Sequence, residues 1–75
     1  MMYNKIHINS SYIKLDSFLK LAGVTVTGGQ AKGIIKEGKV YVNGEVCLKR
    51  GKKLFDGDRV TFEDKEFEVI EEKEA

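Results

Sequence analysis

Basic side chains carry the most concentrated chemistry in this chain. Lys32 and Lys36 stand four apart, so a helix would place both on one exposed face. Lys49, Arg50, Lys52 and Lys53 are interrupted only by Gly51. Ammonium and guanidinium groups at that density attract phosphate, and a guanidinium can grip it with two parallel N–H donors. Lys14 and Lys39 extend the set on either side.

Nothing comparable exists for bond-making chemistry. His7 and Cys47 are single and far apart, with no Ser or carboxylate arranged around them. One cysteine makes no internal disulfide and no metal cluster, so Cys47 reads as a small half-buried hydrophobe. Gly28-Gly29-Gln30-Ala31-Lys32 lacks the Gly-Lys-Ser/Thr ending of a nucleotide-binding P-loop. Asp56-Gly57-Asp58 lacks the ligand spacing of a calcium loop and reads as a turn. No catalytic residue, metal ligand or cofactor is expected, and the chain does not read as an enzyme.

The elements that must position these groups follow from hydrophobic period. Residues 3–8 alternate, with Ile6 and Ile8 on one side and Lys5 and His7 on the other, a short strand with one wet face. Over residues 14–23, Leu15, Phe18, Leu19 and Ala22 recur at helical spacing, Asp16 suits the positive end of the dipole, and Gly23 stops the helix. Thr27 and Gln30 fit a capping box that opens a second helix. Ala31, Ile34 and Ile35 are its buried side, and Gly38 ends it.

From Val40 the period becomes two. Val40-Tyr41-Val42 is a strand, Asn43-Gly44 a two-residue hairpin turn, and residues 45–48 return. Residues 49–53 form a basic loop or strand end. Val60 and Phe62 alternate, Asp64-Lys65 turns, and Phe67 and Val69 alternate again. The tail from Glu71 to Ala75 is expected to fray. The order is β-α-α-β-β-β-β, an α+β chain. Phe18, Phe62 and Phe67 are expected in the core, and Tyr3 and Tyr12 as packing residues. Tyr41 points away from Val40 and Val42, as a cover for the hairpin or as a base-stacking surface. Of Leu54 and Phe55, at most one can point inward, and an exposed Phe55 would hint at a protein contact.

The chain has 75 residues, of which 41% are hydrophobic, and a net charge of +1. That is one domain, residues 1–75, large enough to bury about 60% of its unfolded surface in one small core. It is too apolar for a disordered segment. No apolar run approaches the roughly 18 residues of a membrane span, and the N-terminus lacks the apolar stretch of a signal peptide. A cytoplasmic, monomeric protein is the expectation. The neutral total hides an uneven distribution. Residues 14–53 hold nine basic groups against three acidic, a net of +6, and residues 54–75 hold nine acidic against three basic, a net of −6.

The motifs Lys14-Leu15-Asp16-Ser17-Phe18-Leu19, Leu21-Ala22-Gly23, residues 31–35, Glu37-Gly38-Lys39-Val40-Tyr41-Val42-Asn43-Gly44-Glu45 and Asp56-Gly57-Asp58-Arg59-Val60 together resemble the S4 RNA-binding domain. That domain is named for a ribosomal small-subunit protein and recurs in pseudouridine synthases and tyrosyl-tRNA synthetases. The resemblance covers about residues 13–63 and is to short stand-alone bacterial members of the YbcJ/YaaA kind. It implies two helices packed on a small, bent antiparallel sheet. It also implies binding of structured RNA, ribosomal RNA above all, by the helix pair and the loop entering the sheet.

By position, Lys14 takes the place of the family's usual Arg, exchanging a bidentate fork for a point charge. Thr27 stands for the usual Ser and keeps the cap. Gly28 stands where many members carry an Arg that touches RNA. Gly28 and Gly29 either let a phosphate approach the helix N-terminus or serve a tight entry turn. Lys32, Lys36, Lys39, Lys49, Arg50, Lys52 and Lys53 then supply the electrostatics. The alternative is a protein-interaction adaptor on a ribonucleoprotein, its acidic C-terminal part facing a basic ribosomal protein.

Overall fold

A computed structural model describes residues 2–72. Its elements are β1 (Met2–Ile8), β2 (Ile13–Lys14), α1 (Leu15–Leu21), α2 (Gly28–Lys36), β3 (Val40–Val42), β4 (Glu45–Val46), β5 (Lys53–Leu54), β6 (Arg59–Phe62) and β7 (Lys65–Glu71).

Both helices start and stop where local chemistry requires. In α1, Leu15, Phe18 and Leu19 are fully buried at i, i+3 and i+4. The chain leaves through Gly23 at φ +80°, while Ala22 N–H donates to the Phe18 carbonyl and Gly23 N–H to that of Lys20. In α2 the capping box is complete. The Gln30 N–H donates to Thr27 Oγ1 at 3.2 Å, and Gln30 Oε1 accepts from the Val26 and Thr27 N–H groups. Ala31 and Ile35 are buried and Ile34 is half-buried against the same core. Gly38, at φ +77°, ends the helix.

The main sheet has the order β1-β7-β6-β3-β4. Asn43 (φ 52°) and Gly44 (φ +86°) both lie in the left-handed region, which a tight β3–β4 turn requires and which Asn-Gly supplies at low cost. The turn between β6 and β7 is Glu63-Asp64, one residue earlier than the Asp64-Lys65 expected.

The expectation of a wholly antiparallel sheet needs correction. β1 runs parallel to β7, from Met2 opposite Lys65 to Ile8 opposite Glu71. The two strands are joined through everything else in the chain, and such a long connection permits parallel pairing. The register also sets Ile6 beside Val69, which keeps both on the core side. A second, two-stranded sheet pairs β2 antiparallel with β5.

The core lies between the helices and the sheet. Phe18, Leu15, Leu19, Ile35, Leu54, Val40, Val60 and Val69 are its largest fully buried side chains. Phe18 meets Phe67 edge-on, centroids 6.2 Å apart. Phe62 lies at the margin, half-buried. Tyr3 and Tyr12, expected to pack, are both exposed. Leu54 takes the inward position and Phe55 the outward one. The expected fraying does not extend to Glu71 and Glu72. The Glu71 N–H donates to Asp56 Oδ1 at 2.7 Å and the Glu72 N–H to the Ile8 carbonyl at 2.8 Å. The rest of that tail, residues 73–75, lies outside the described residues.

Tyr3 crosses the β1–β7 pair. Its hydroxyl donates to a Glu68 carboxylate oxygen, and the Arg59 guanidinium sits 5.6 Å from its ring centroid. The hydrogen bond to Glu68 holds the phenol above the ordinary value of 10.0. A raised folded-state value means that the native protein keeps this proton longer than the unfolded chain does. The associated stability is complete below pH 10.0 and is lost as pH rises through the elevated value. Absorbance titration of wild type against Tyr3→Phe isolates this phenol. Glu68→Gln is expected to lower its midpoint, and an unchanged midpoint would remove Glu68 as the cause.

Candidate nucleic-acid interface

Three features assemble the basic groups. Lys14 and Lys53 are directly opposite in the β2–β5 pair. The Leu15 N–H donates to the Lys52 carbonyl at 2.9 Å, and the Asp16 N–H to the Arg50 carbonyl at 3.0 Å. These are two of the N–H groups that every helix leaves without an internal partner. The loop satisfies them with main-chain oxygens, so its side chains stay in solvent. Lys14, Arg50, Lys52 and Lys53 are all exposed. The Lys52 N–H donates to the Lys49 carbonyl at 3.2 Å and curls the loop. Lys49 and Lys52 then line a shallow groove of about 480 Å³ with Glu45, Val46, Cys47 and Leu48.

The same segment reaches the end of α2. A Cβ built on Gly38 would lie 3.7 Å from Val46 Cγ2 and 4.0 Å from Leu48 Cδ2. Residues 46–53 therefore run from the C-terminus of α2 to the N-terminus of α1. Lys36 in the last turn of α2 and Lys39 just beyond it stand at one end of this strip, and Lys14 at the other. Lys32, also exposed, is one turn further along the helix. Lys39 Nζ is 3.4 Å from the neighbouring Glu37 carboxylate.

Thr27, Gly28 and Gly29 sit at the opposite end of α2. The Thr27 hydroxyl is occupied by the cap. The glycines are more informative. Neither has a positive φ, nothing lies within 4 Å of a Cβ on Gly28, and a Cβ on Gly29 meets only Thr27 Oγ1, at 3.9 Å. A tight entry turn therefore does not demand glycine here, although glycine is among the poorest helix formers.

Charge pairing differs between the two halves of the chain. Arg59 meets Glu66 at 3.3 Å, His7 meets Glu72 at 3.3 Å, and Glu68 accepts from Tyr3. Among the described residues, Lys14, Lys32, Lys36, Lys49, Arg50, Lys52 and Lys53 enter no ion pair. Three carboxylates of the acidic strands thus have partners within the fold, whereas in the basic strip only Lys39 has one.

Two aromatic residues beside this strip are not among the RNA-contact residues expected from the sequence, where an exposed Phe55 hinted at a protein contact. Tyr12 and Phe55 flank the β2–β5 ladder, ring centroids 6.1 Å apart, with Lys53 Nζ 4.8 Å from the Tyr12 ring centroid. A signal for them is present in the sequence. Tyr12-Ile13-Lys14 and Lys53-Leu54-Phe55 are mirror images in residue type, as an antiparallel pair with one buried face would be. Tyr41 is exposed on β3, away from the core.

Among the described residues, no group of three or more His, Cys, Asp or Glu side chains is placed to hold a metal ion. No helix among them is long and apolar enough to cross a membrane.

Comparison with known proteins agrees with this architecture. The probable ribosome maturation protein RlbA of Bacillus subtilis is 47% identical over 62 residues, which cover 83% of this chain and 87% of that protein. An uncharacterized RNA pseudouridine synthase of Aquifex aeolicus is 40% identical over 60 residues, but these are 80% of this chain and only 19% of that protein. The solution structure of YbcJ from E. coli, described as revealing an αL motif involved in RNA binding, superposes with a TM-score of 0.68 at 31% identity. It covers 88% of this chain and 85% of that one. The S4 domain family model matches residues 6–70. With two helices on a mixed sheet, and a match that spans nearly every element, the chain belongs to the S4 domain family.

Proposed function

We propose that this protein is a non-catalytic RNA-binding module. It holds structured RNA, ribosomal RNA foremost, in the maturation of ribosomal particles in the cytoplasm. The observation that carries the reading is the strip from Lys36 to Lys14, joined by residues 46–53. It is a run of exposed cations that, Lys39 apart, enter no ion pair among the described residues, in a chain whose acidic half has carboxylates engaged by Arg59, His7 and Tyr3. Phosphates are the chemistry such a strip recognises, and for structured RNA the spacing of phosphates reports shape. The S4 family, the maturation protein that is similar over most of its length, and the RNA-binding motif described for YbcJ support the same reading. The pseudouridine synthase contributes no activity to it, because only a small part of that enzyme is matched.

Lys14, Lys49, Arg50, Lys52 and Lys53 form the centre of the proposed contact, with Lys32, Lys36 and Lys39 along α2. Gly28 and Gly29 are a second point of phosphate approach, since neither backbone nor packing calls for glycine there. With about four to six phosphates engaged, log K against log salt should fall with a slope of roughly −3 to −5. Titration of a ribosomal RNA fragment between low and physiological salt measures that slope, and an affinity indifferent to salt would defeat the mechanism. The adaptor reading is weaker, because Glu66, Glu68 and Glu72 already have partners in the fold. It predicts a ribosomal-protein partner that survives nuclease treatment of a pull-down.

A further inference from the structure

The outward face of the β2–β5 sheet is built from four side chains. In an antiparallel pair, alternate residues share a face, and directly opposed residues point the same way. Ile13 and Leu54 point inward, Leu54 fully buried and Ile13 packed on the core. Tyr12, Lys14, Lys53 and Phe55 are therefore outward, and all four are exposed. Two features of this face work against the stability of the isolated protein. Lys14 and Lys53 are like charges directly opposed. Tyr12 and Phe55, 38% and 49% exposed, leave aromatic surface in water.

The face is also fixed in place. The Phe55 N–H donates to Asp58 Oδ2 at 2.8 Å, and the Asp58 N–H returns to the Phe55 carbonyl at 2.9 Å. Asp58 Oδ1 in turn accepts from the Asn43 side chain at 3.1 Å, which ties the turn to the β3–β4 hairpin. On the other strand, Ser10 Oγ donates to the Tyr12 carbonyl at 2.8 Å. The ring planes are inclined at 47° with centroids 6.1 Å apart, so the two rings do not cover one another face to face. Lys53 Nζ lies over the Tyr12 ring, 4.8 Å from its centroid, so a base stacking there takes the place of this ammonium, which swings toward the flanking phosphate. Lys14, Arg50 and Lys52 lie next to it on the loop and the helix start.

We propose that Tyr12 and Phe55 form a stacking platform for one unpaired nucleobase of the bound RNA, whose flanking phosphates are held by Lys14, Lys53 and the adjacent loop. This deepens the RNA-binding reading and rests on it. Stacking tolerates any base, because each has a π face. What it selects is a nucleotide that is already out of the helix, at a bulge or loop. The face would thereby add a requirement for an extruded base to the shape reading of the basic strip. A protein partner would meet the aromatic rings less well, because the lysines around them are unpaired and favour a polyanion.

The test uses two RNA hairpins that differ only in a single bulged 2-aminopurine nucleotide. The wild-type protein is expected to bind the bulged hairpin about 10-fold more tightly than the fully paired one, and to quench the 2-aminopurine fluorescence. Phe55→Ala is expected to abolish the preference and the quenching, with affinity for the paired hairpin and its salt slope unchanged. Phe55→Tyr should restore both. Phe55 is outside the core, and circular dichroism of each variant confirms the fold. Equal affinity of the wild type for both hairpins would overturn the platform alone, as would Phe55→Ala losing affinity equally on both. A wild type that binds neither hairpin would overturn the RNA-binding reading and the platform with it.

Discussion

Arg50→Glu combined with Lys52→Glu is expected to reduce affinity for structured RNA by roughly 100-fold or more at physiological salt, with the fold intact. Each phosphate contact contributes about 1 kcal/mol at that salt through counterion release, and a reversed charge adds repulsion to the lost contact. The fold should survive because the loop is bound to α1 through the Arg50 and Lys52 carbonyls, which the substitutions leave unchanged. Both side chains are exposed, and neither enters an ion pair among the described residues. Filter binding at several salt concentrations gives the affinity and the slope, which should become shallower by about two units. Lys32→Glu with Lys36→Glu is expected to weaken binding less, because Lys32 is a turn further from the loop. If the second pair proved the more damaging, the site would be centred on α2. If neither pair changed affinity, the RNA contact would lie elsewhere on the molecule.

Phe18→Ala is the substitution expected to cost the most stability, about 3–5 kcal/mol. Phe18 is fully buried, meets Phe67 edge-on, and lies on α1 among residues facing the sheet. A chain of 75 residues has on the order of 4–11 kcal/mol of total stability. The variant should therefore unfold at a temperature roughly 20–30 °C lower, or be partly unfolded at room temperature. Thermal denaturation followed by circular dichroism reads this directly. A loss under about 1 kcal/mol would mean that the helix–sheet interface can collapse around the missing ring. Because the α1 N-terminus anchors the basic loop, RNA binding should fail with the same temperature dependence as the fold. That coupling distinguishes this variant from the charge reversals, which remove binding from a folded protein.

The local elements were open to reading because each rests on interactions between near neighbours. The Thr27–Gln30 capping box, the positive φ at Asn43-Gly44 and the 15, 18, 19 stripe of α1 all depend on residues within one or two turns. The split of charge between the first and second parts of the chain was likewise plain in the residue order. Other features left no such trace. A strand of two residues has no periodicity to detect, so β2 and β5 were invisible singly, and only their mirrored residue types hint at a pair. Tyr3 and Tyr12 looked like packing residues because aromatic side chains bury well, but neighbouring charges and strand alternation keep both outside.

The helices, the hairpin turn, the inward-facing hydrophobes and the separation of basic from acidic residues all follow from residue order. The parallel pairing of β1 with β7, the opposition of Lys14 and Lys53, and the closure of the loop of residues 49–53 on the start of α1 come only from the assembled fold. The physical reason is one of range. Caps, turns and amphipathic stripes are settled by residues that the chain holds close together. The partner of a strand edge or an open helix end is settled by whichever distant segment buries the most apolar surface and satisfies the remaining N–H and C=O groups. The proposed RNA contact belongs to the second kind, since it exists only where segments distant in the chain are brought side by side.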